Sequence, residues 1–137
     1  MGIYAGEMRR GFLPGRLRPL QKGGRMAINS KRKGANGERE LAIVLKGYGY
    51  ECRRSVQYNG YDPEGMPDVI GLPGIHIECK RVEKLNIDTA YDQAVRDCKA
   101  GDLPAVFHRK NRRPWLVTMS MEDFMRIYKV WERRGGR

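Results

Sequence analysis

The spacing of apolar and polar positions changes period several times along this chain, and each change marks an element. In GANGERELAIVLKGYGY (34–50), Leu41, Ala42 and Leu45 recur at helical spacing, and Gly47 and Gly49 end the pattern. YECRRSV (50–56) reads as a strand, and the loop QYNGYDPEGM (57–66) follows it. Two short apolar runs come next, Val69-Ile70-Leu72 and Ile75-Ile77, joined by a Pro-Gly turn. NIDTAYDQAVRDCKA (86–100) predicts a second helix with Asn86 or Asp88 as its N-cap. AVFHRK (105–110) and PWLVTMS (114–120) predict a hairpin turning at Asn111, and Ser120 with Asp123 opens a last helix in the manner of a capping box. In that helix Phe124, Ile127, Tyr128 and Trp131 fall at i, i+3, i+4 and i+7, which predicts a core-facing stripe, with Met121, Met125 and Val130 left over for a dimer surface. The order α-β-β-β-α-β-β-α predicts an α/β fold with helices flanking a central mixed sheet.

The second apolar run contains a contradiction. On a strand successive side chains alternate faces, so in IHIECKR (75–81) Ile75, Ile77 and Cys79 share one face and His76, Glu78 and Lys80 the other. Asp68, after Pro67, stands at the entrance of the preceding run. One reading is a half-exposed strand whose polar face meets water. The other is an oxygen-rich metal site, since two carboxylates aimed at one point suit Mg²⁺ and a lysine beside it can orient water or offset charge on a phosphate. Glu38 extends the Leu41-Ala42-Leu45 stripe, but Glu40 with Ile43 and Val44 forms a similar one, and periodicity does not choose between them.

Charge narrows the partner. The chain has 137 residues and a net charge of +11, which favours a polyanion such as nucleic acid. Its three cysteines form no CxxC pair, which argues against a disulfide framework or a zinc site and for a reducing, cytoplasmic setting. No run approaches the ~18 apolar residues of a membrane span. Residues 1–29 hold six basic residues against Glu7 alone, with six glycines and no apolar period. They read either as a disordered basic arm or as a leader upstream of Met26, and residues 30–137 read as the folded domain.

Pro67-Asp68 followed by Glu78-Cys79-Lys80 resembles the PD-(D/E)xK nuclease signature. RKGANGEREL (32–41) and GYECRRS (49–55) further resemble the opening of archaeal-type Holliday junction resolvases, in the same order along the chain. The resemblance implies a restriction-endonuclease-like core, with Glu38, Asp68 and Glu78 as acidic metal-site residues and Lys80 as the catalytic lysine. It chooses Glu38 over Glu40. It implies Mg²⁺, for which Mn²⁺ can substitute, and a branched DNA substrate, the four-way junction. A homodimer would present two active sites to two symmetric strands. Arg32, Lys33, Arg39, Arg53, Arg54 and Ser55 become expected nucleic-acid contacts. Gln93, His76 and the basic turn of Arg109, Lys110, Arg112 and Arg113 are further candidates. The QYNGYDPEGM loop is longer than the family's usual link, which bears on substrate choice; the rivals are a repair, restriction-like or phage-type nuclease on duplex, flap or single-stranded DNA, and a non-catalytic nucleic-acid-binding protein using the basic arm.

Overall fold

A computed structural model of the chain describes residues 19–55 and 65–136. The chain divides into two units, Met1–Lys33 and Gly34–Arg137. Helix α1 runs Pro19–Gly47, so its first part belongs to the first unit and its last part to the second. The apolar period predicted a helix only from Gly34. The extension carries Gln, Lys, Arg, Met and Ala, which favour a helix without any apolar stripe. Pro19 takes the first helical position, where its missing N–H costs nothing. Of the expected basic arm, residues 1–18 lie outside the described residues and residues 19–29 are helical.

After α1 come β1 (Arg53–Arg54), β2 (Val69–Ile70), β3 (Ile75–Arg81), α2 (Ile87–Asp97), β4 (Leu103–Arg109), β5 (Leu116–Thr118) and α3 (Met121–Arg133). The strands form one sheet in the order β1-β2-β3-β4-β5. β3 and β4 are parallel and every other pair is antiparallel, so the sheet is mixed, as the pattern predicted. α2 is the crossover that two parallel neighbours require. β1 is shorter than YECRRSV suggested, because β2 offers only two residues to pair with it. No described helix is long and apolar enough to cross a membrane.

The core lies on both faces of β3 and β4. Leu41, Ala42 and Leu45 of α1 pack with Cys52, Val69, Ile77, Cys79, Ala105 and Phe107. Ala90 and Ala94 of α2 pack with Val106 on the opposite face, with Tyr91 against them. Two glycines allow the close approaches. A Cβ on Gly37 would stand 2.5 Å from Arg81 Cβ, so α1 can cross the end of β3 this closely only with glycine there. Gly71, between β2 and β3, has φ +111° and lies against the backbone of Glu51 and Cys52.

Caps follow the sequence closely. Asn86 Oδ1 accepts the Thr89 N–H at 3.1 Å, which selects Asn86 over Asp88, and Ser120 Oγ accepts the Asp123 N–H at 3.1 Å. Only half of the capping box forms, since the Asp123 carboxylate accepts from Arg126 Nη1 at 3.0 Å. The predicted burial of α3 is overturned. Phe124, Ile127, Tyr128 and Trp131 are 51%, 42%, 39% and 47% exposed, and the one buried residue of the helix is Asp123. The sheet has two faces; α1 covers one and α2 the other, so α3 finds no sheet face left to cover.

Candidate active site

The site begins with a ladder that stops early. β2 pairs with β3 at Val69 and Ile77, and the Asp68 N–H still donates to the Ile77 carbonyl at 2.9 Å. Pro67, one residue earlier, has no N–H to continue. The Cys79 N–H would then lack a strand partner, and Asp68 Oδ2 accepts it at 2.8 Å. One side chain thereby replaces a backbone acceptor, and the Asp68 carboxylate is held against β3 between Glu78 and Lys80.

Glu78 lies on the α2 face of β3 and is 3% exposed, with Lys80 Nζ 3.2 Å from Oε2. Burial pushes the Asp68 carboxyl up to about 7, the Glu78 charge pushes it the same way, and the Cys79 hydrogen bond opposes them. Glu78 is also raised, chiefly by burial, while Lys80 pulls it down. Asp68 is thus held where both burial and the Glu78 charge disfavour its own, and Glu78 where burial, Asp97 and Glu38 do.

Glu38 adds to the same field, raising both Asp68 and Glu78, yet its own Oε1 accepts from Arg54 Nε at 2.7 Å. Arg54 is therefore engaged with an acid. Ser55 joins through its backbone N–H, which donates to the Asp68 carbonyl at 3.0 Å. Arg53 is exposed, as is Arg39, whose Nη1 donates to Asn36 Oδ1 at 3.0 Å; Arg32 and Lys33 are exposed on α1. Gln93, half-buried on α2, makes no side-chain hydrogen bond among the described residues. His76 is buried on the Glu78 face of β3, and its Nε2 has no hydrogen-bond partner among the described residues. Burial lowers its pKa against the pull of Asp97 and Asp102. Lys110, Arg112 and Arg113 are exposed, whereas Arg109 is partly buried and paired with Glu40.

One acid, Asp97, escaped the sequence reading, and another, Glu40, was weighed there only as a rival of Glu38. Asp97, at the end of α2, raises Glu78. The interval Ala90, Ala94, Asp97 is i, i+4, i+7, so helical spacing could have placed it on the sheet-facing stripe. Glu40 accepts from Arg81 Nε at 3.3 Å, Arg109 Nη1 at 2.8 Å and Trp115 Nε1 at 3.1 Å. No local spacing could have found that, because its partners lie on three other segments.

Among the described residues, no group of three or more His, Cys, Asp or Glu is arranged to hold a metal ion. The pair of Asp68 and Glu78 nevertheless fits a hard divalent cation. Oxygen donors are what such an ion takes, one or two carboxylates are its usual protein share, and a cation there would offset the burial and the neighbouring acidic charge that raise both groups.

No curated protein matches the sequence. Among solved structures, Hjc of the archaeal hyperthermophile Archaeoglobus fulgidus, a Holliday junction resolvase, is 24% identical with a TM-score of 0.48, over 61% of this chain and 74% of that one. The family model described as "Phage putative PDDEXK endonuclease" matches residues 29–134. That match contains the whole sheet, the Asp68, Glu78 and Lys80 constellation and the helices on both faces, and the chain belongs to this phage PDDEXK endonuclease family, a nuclease with the fold that the family implies.

Proposed function

We propose that this nuclease is a divalent-metal-dependent endonuclease selective for branched DNA, a Holliday junction resolvase in the four-way case. The observation that carries its chemistry is the meeting of Asp68, Glu78 and Lys80, in which two carboxylates are held together at a cost that one lysine does not offset. Asp68 and Glu78 would hold Mg²⁺ or Mn²⁺, with Glu38 as a third acid if it leaves Arg54. A divalent ion bound there supplies Lewis acidity and lowers the pKa of water. Lys80 orients the attacking water and offsets charge growing on the phosphate oxygens. The bond from water oxygen to phosphorus forms as the bond from phosphorus to the 3′ oxygen breaks. The products are a 5′-phosphate and a 3′-hydroxyl: the attacking water releases its proton to solvent, and the leaving 3′ oxygen takes one from it. Arg39 and Arg53, both exposed, are the phosphate contacts nearest in sequence to Glu38 and Arg54, and contacts of this kind make binding strongly salt-dependent.

Selectivity for a branch rests on the resemblance of RKGANGEREL, GYECRRS and ECK, in that order along the chain, to archaeal-type Holliday junction resolvases. Cleavage of a four-way junction and of its component duplexes, compared in Mg²⁺, tests it. Preferential cutting of the junction is expected. Equal rates would reduce the protein to a general duplex nuclease, and binding without cutting in either Mg²⁺ or Mn²⁺ would leave only a DNA-binding module.

The two-fold arrangement that suits a junction has a surface available. Seven apolar side chains of α3 are exposed, together with Leu116 and Val117 of the edge strand β5. At about 150–250 Å² for a fully buried aromatic, the α3 side chains leave on the order of 700 Å². That exceeds the ~300–600 Å² patch of an ordinary monomer and approaches the ~800 Å² that each partner of a stable dimer buries. A second copy is the occupant we assign to it. Sedimentation should find a wild-type dimer at micromolar concentration and a Phe124→Glu monomer with an unchanged circular dichroism spectrum. A monomeric wild type would remove the two-fold reading and leave the nuclease one standing.

A further inference from the structure

The turn between β4 and β5 has four basic residues in five positions, Arg109, Lys110, Arg112 and Arg113 around Asn111. It is held from several sides. Arg109 Nε donates to the Arg113 carbonyl at 2.7 Å, and the Arg113 N–H donates to the Lys110 carbonyl at 3.3 Å. The Asn111 N–H donates to Glu83 Oε2 at 2.8 Å, tying the tip to the segment that follows β3. Glu40 then holds the base. Its carboxylate takes Arg81, the last residue of β3, Arg109, the last of β4, and Trp115, just before β5. One acid on α1 fixes both ends of the turn.

These bonds divide the four cations into two kinds. The Arg109 guanidinium is spent inside the protein, on Glu40 and on the turn's own backbone. Lys110, Arg112 and Arg113 are exposed, and none of their side chains enters an ion pair or hydrogen bond among the described residues. Arg112 also stands at φ +58°, the one positive φ among the described non-glycine residues. Glycine or asparagine would take that backbone more readily. A turn that serves only to reverse the chain gains nothing from a charged, branched-out side chain there. Three cations within four positions of a hydrogen-bonded turn, in a chain of net charge +11, repel one another, and an anion between them would relieve that repulsion.

We propose that the β4–β5 turn is a preformed binding site for neighbouring phosphates of a nucleic-acid backbone. Lys110, Arg112 and Arg113 make the contacts, and Glu40 is the positioning residue that holds the turn through Arg109. The choice of nucleic acid as the ligand rests on the nuclease reading above; the rigidity and the division of charges do not. The turn needs no ordering on binding, so the entropy of fixing these side chains' backbone is already spent in the free protein.

Titration of a labelled DNA duplex at several salt concentrations, without divalent ions so that nothing is cut, tests the site. Lys110→Ala, Arg112→Gly and Arg113→Ala should each weaken binding and reduce the slope of log affinity against log salt by about one. Arg112→Gly should do so while melting no lower than wild type, because it relieves the left-handed backbone. Glu40→Gln should weaken binding and lower the slope, although removing a negative charge would by charge alone strengthen it. Wild-type affinity and slope in the three turn variants would show a solvated turn and overturn the proposal while leaving the nuclease reading intact. Unchanged or tighter binding in Glu40→Gln would remove Glu40 from it. A wild-type protein that binds no duplex and no junction would overturn both readings together.

Discussion

Asp68→Asn is expected to lower Mg²⁺-dependent DNA cleavage by about a thousandfold or more and, in the same protein, to raise the melting temperature measured without metal. The two effects have one cause. The wild-type carboxylate is held in a buried place beside Glu78, where its charge is disfavoured, and its carboxyl rises from 3.8 to about 7. Between those values the folded chain keeps a proton that the unfolded chain has released, so stability falls as pH rises from about 4 to about 7 and is level above that. Glu78 is raised as well and acts in the same direction. Asparagine removes the charge yet keeps an oxygen for the Cys79 N–H, so the hydrogen bond that shapes the site survives. For a chain of 137 residues each kcal/mol recovered is worth about 4 °C. The variant should therefore melt above wild type at neutral pH and match it near pH 4, and added Mg²⁺ should stabilise wild type more than the variant. Normal cleavage by Asp68→Asn would remove Asp68 from the site. An unchanged metal-free melting temperature at neutral pH would show that its carboxylate is not paying for burial.

The largest expected loss of stability comes from Gly71→Ala, at about 3 kcal/mol or more, read as a fall in melting temperature of about 15 °C. Two penalties coincide there. The φ of +111° is one that a residue with a Cβ rarely adopts. The added Cβ would also overlap the Glu51 carbonyl oxygen and stand 2.7 Å from Cys52 Cα. Both obstacles are backbone, so no side chain can rotate away. Cys52 is wholly buried in the α1 core, and its neighbours Arg53 and Arg54 form β1. Pushing that segment aside would carry Arg54 away from Glu38, so surviving protein should also show weakened DNA cleavage. A fall of less than about 5 °C would mean that the β1 segment yields without disturbing the core.

Much of the fold was legible because its determinants are local. The order of elements followed from changes of period, and the caps at Asn86 and Ser120 formed because a short polar side chain reaches an N–H three residues on. Alternation on β3 correctly separated Ile77 and Cys79, which meet α1, from Glu78, which lies on the α2 side. The stripe of α3 was read correctly as apolar and wrongly as buried. A period reports which side chains would share a face. It cannot report whether the chain has another surface to lay against that face, and the sheet's two faces were already taken.

The candidate site divides in the same way. The residue types and spacing of Asp68, Glu78 and Lys80 were legible in the sequence, and strand alternation put Glu78 and Lys80 on one face of β3. Only the tertiary structure decided their surroundings. β2 leaves its ladder at Pro67, so that Asp68 takes the Cys79 N–H; Glu38 turns to Arg54; and Asp97 arrives at Glu78 from the far end of α2. Glu40 was left as a rival stripe by periodicity, and it gained its role only when parallel pairing of β3 with β4 brought Arg81 and Arg109 side by side beneath it. The reason is range. A period or a cap is settled among residues a few positions apart, whereas the partner of a charge is settled by which strands become neighbours, and that depends on the whole chain at once.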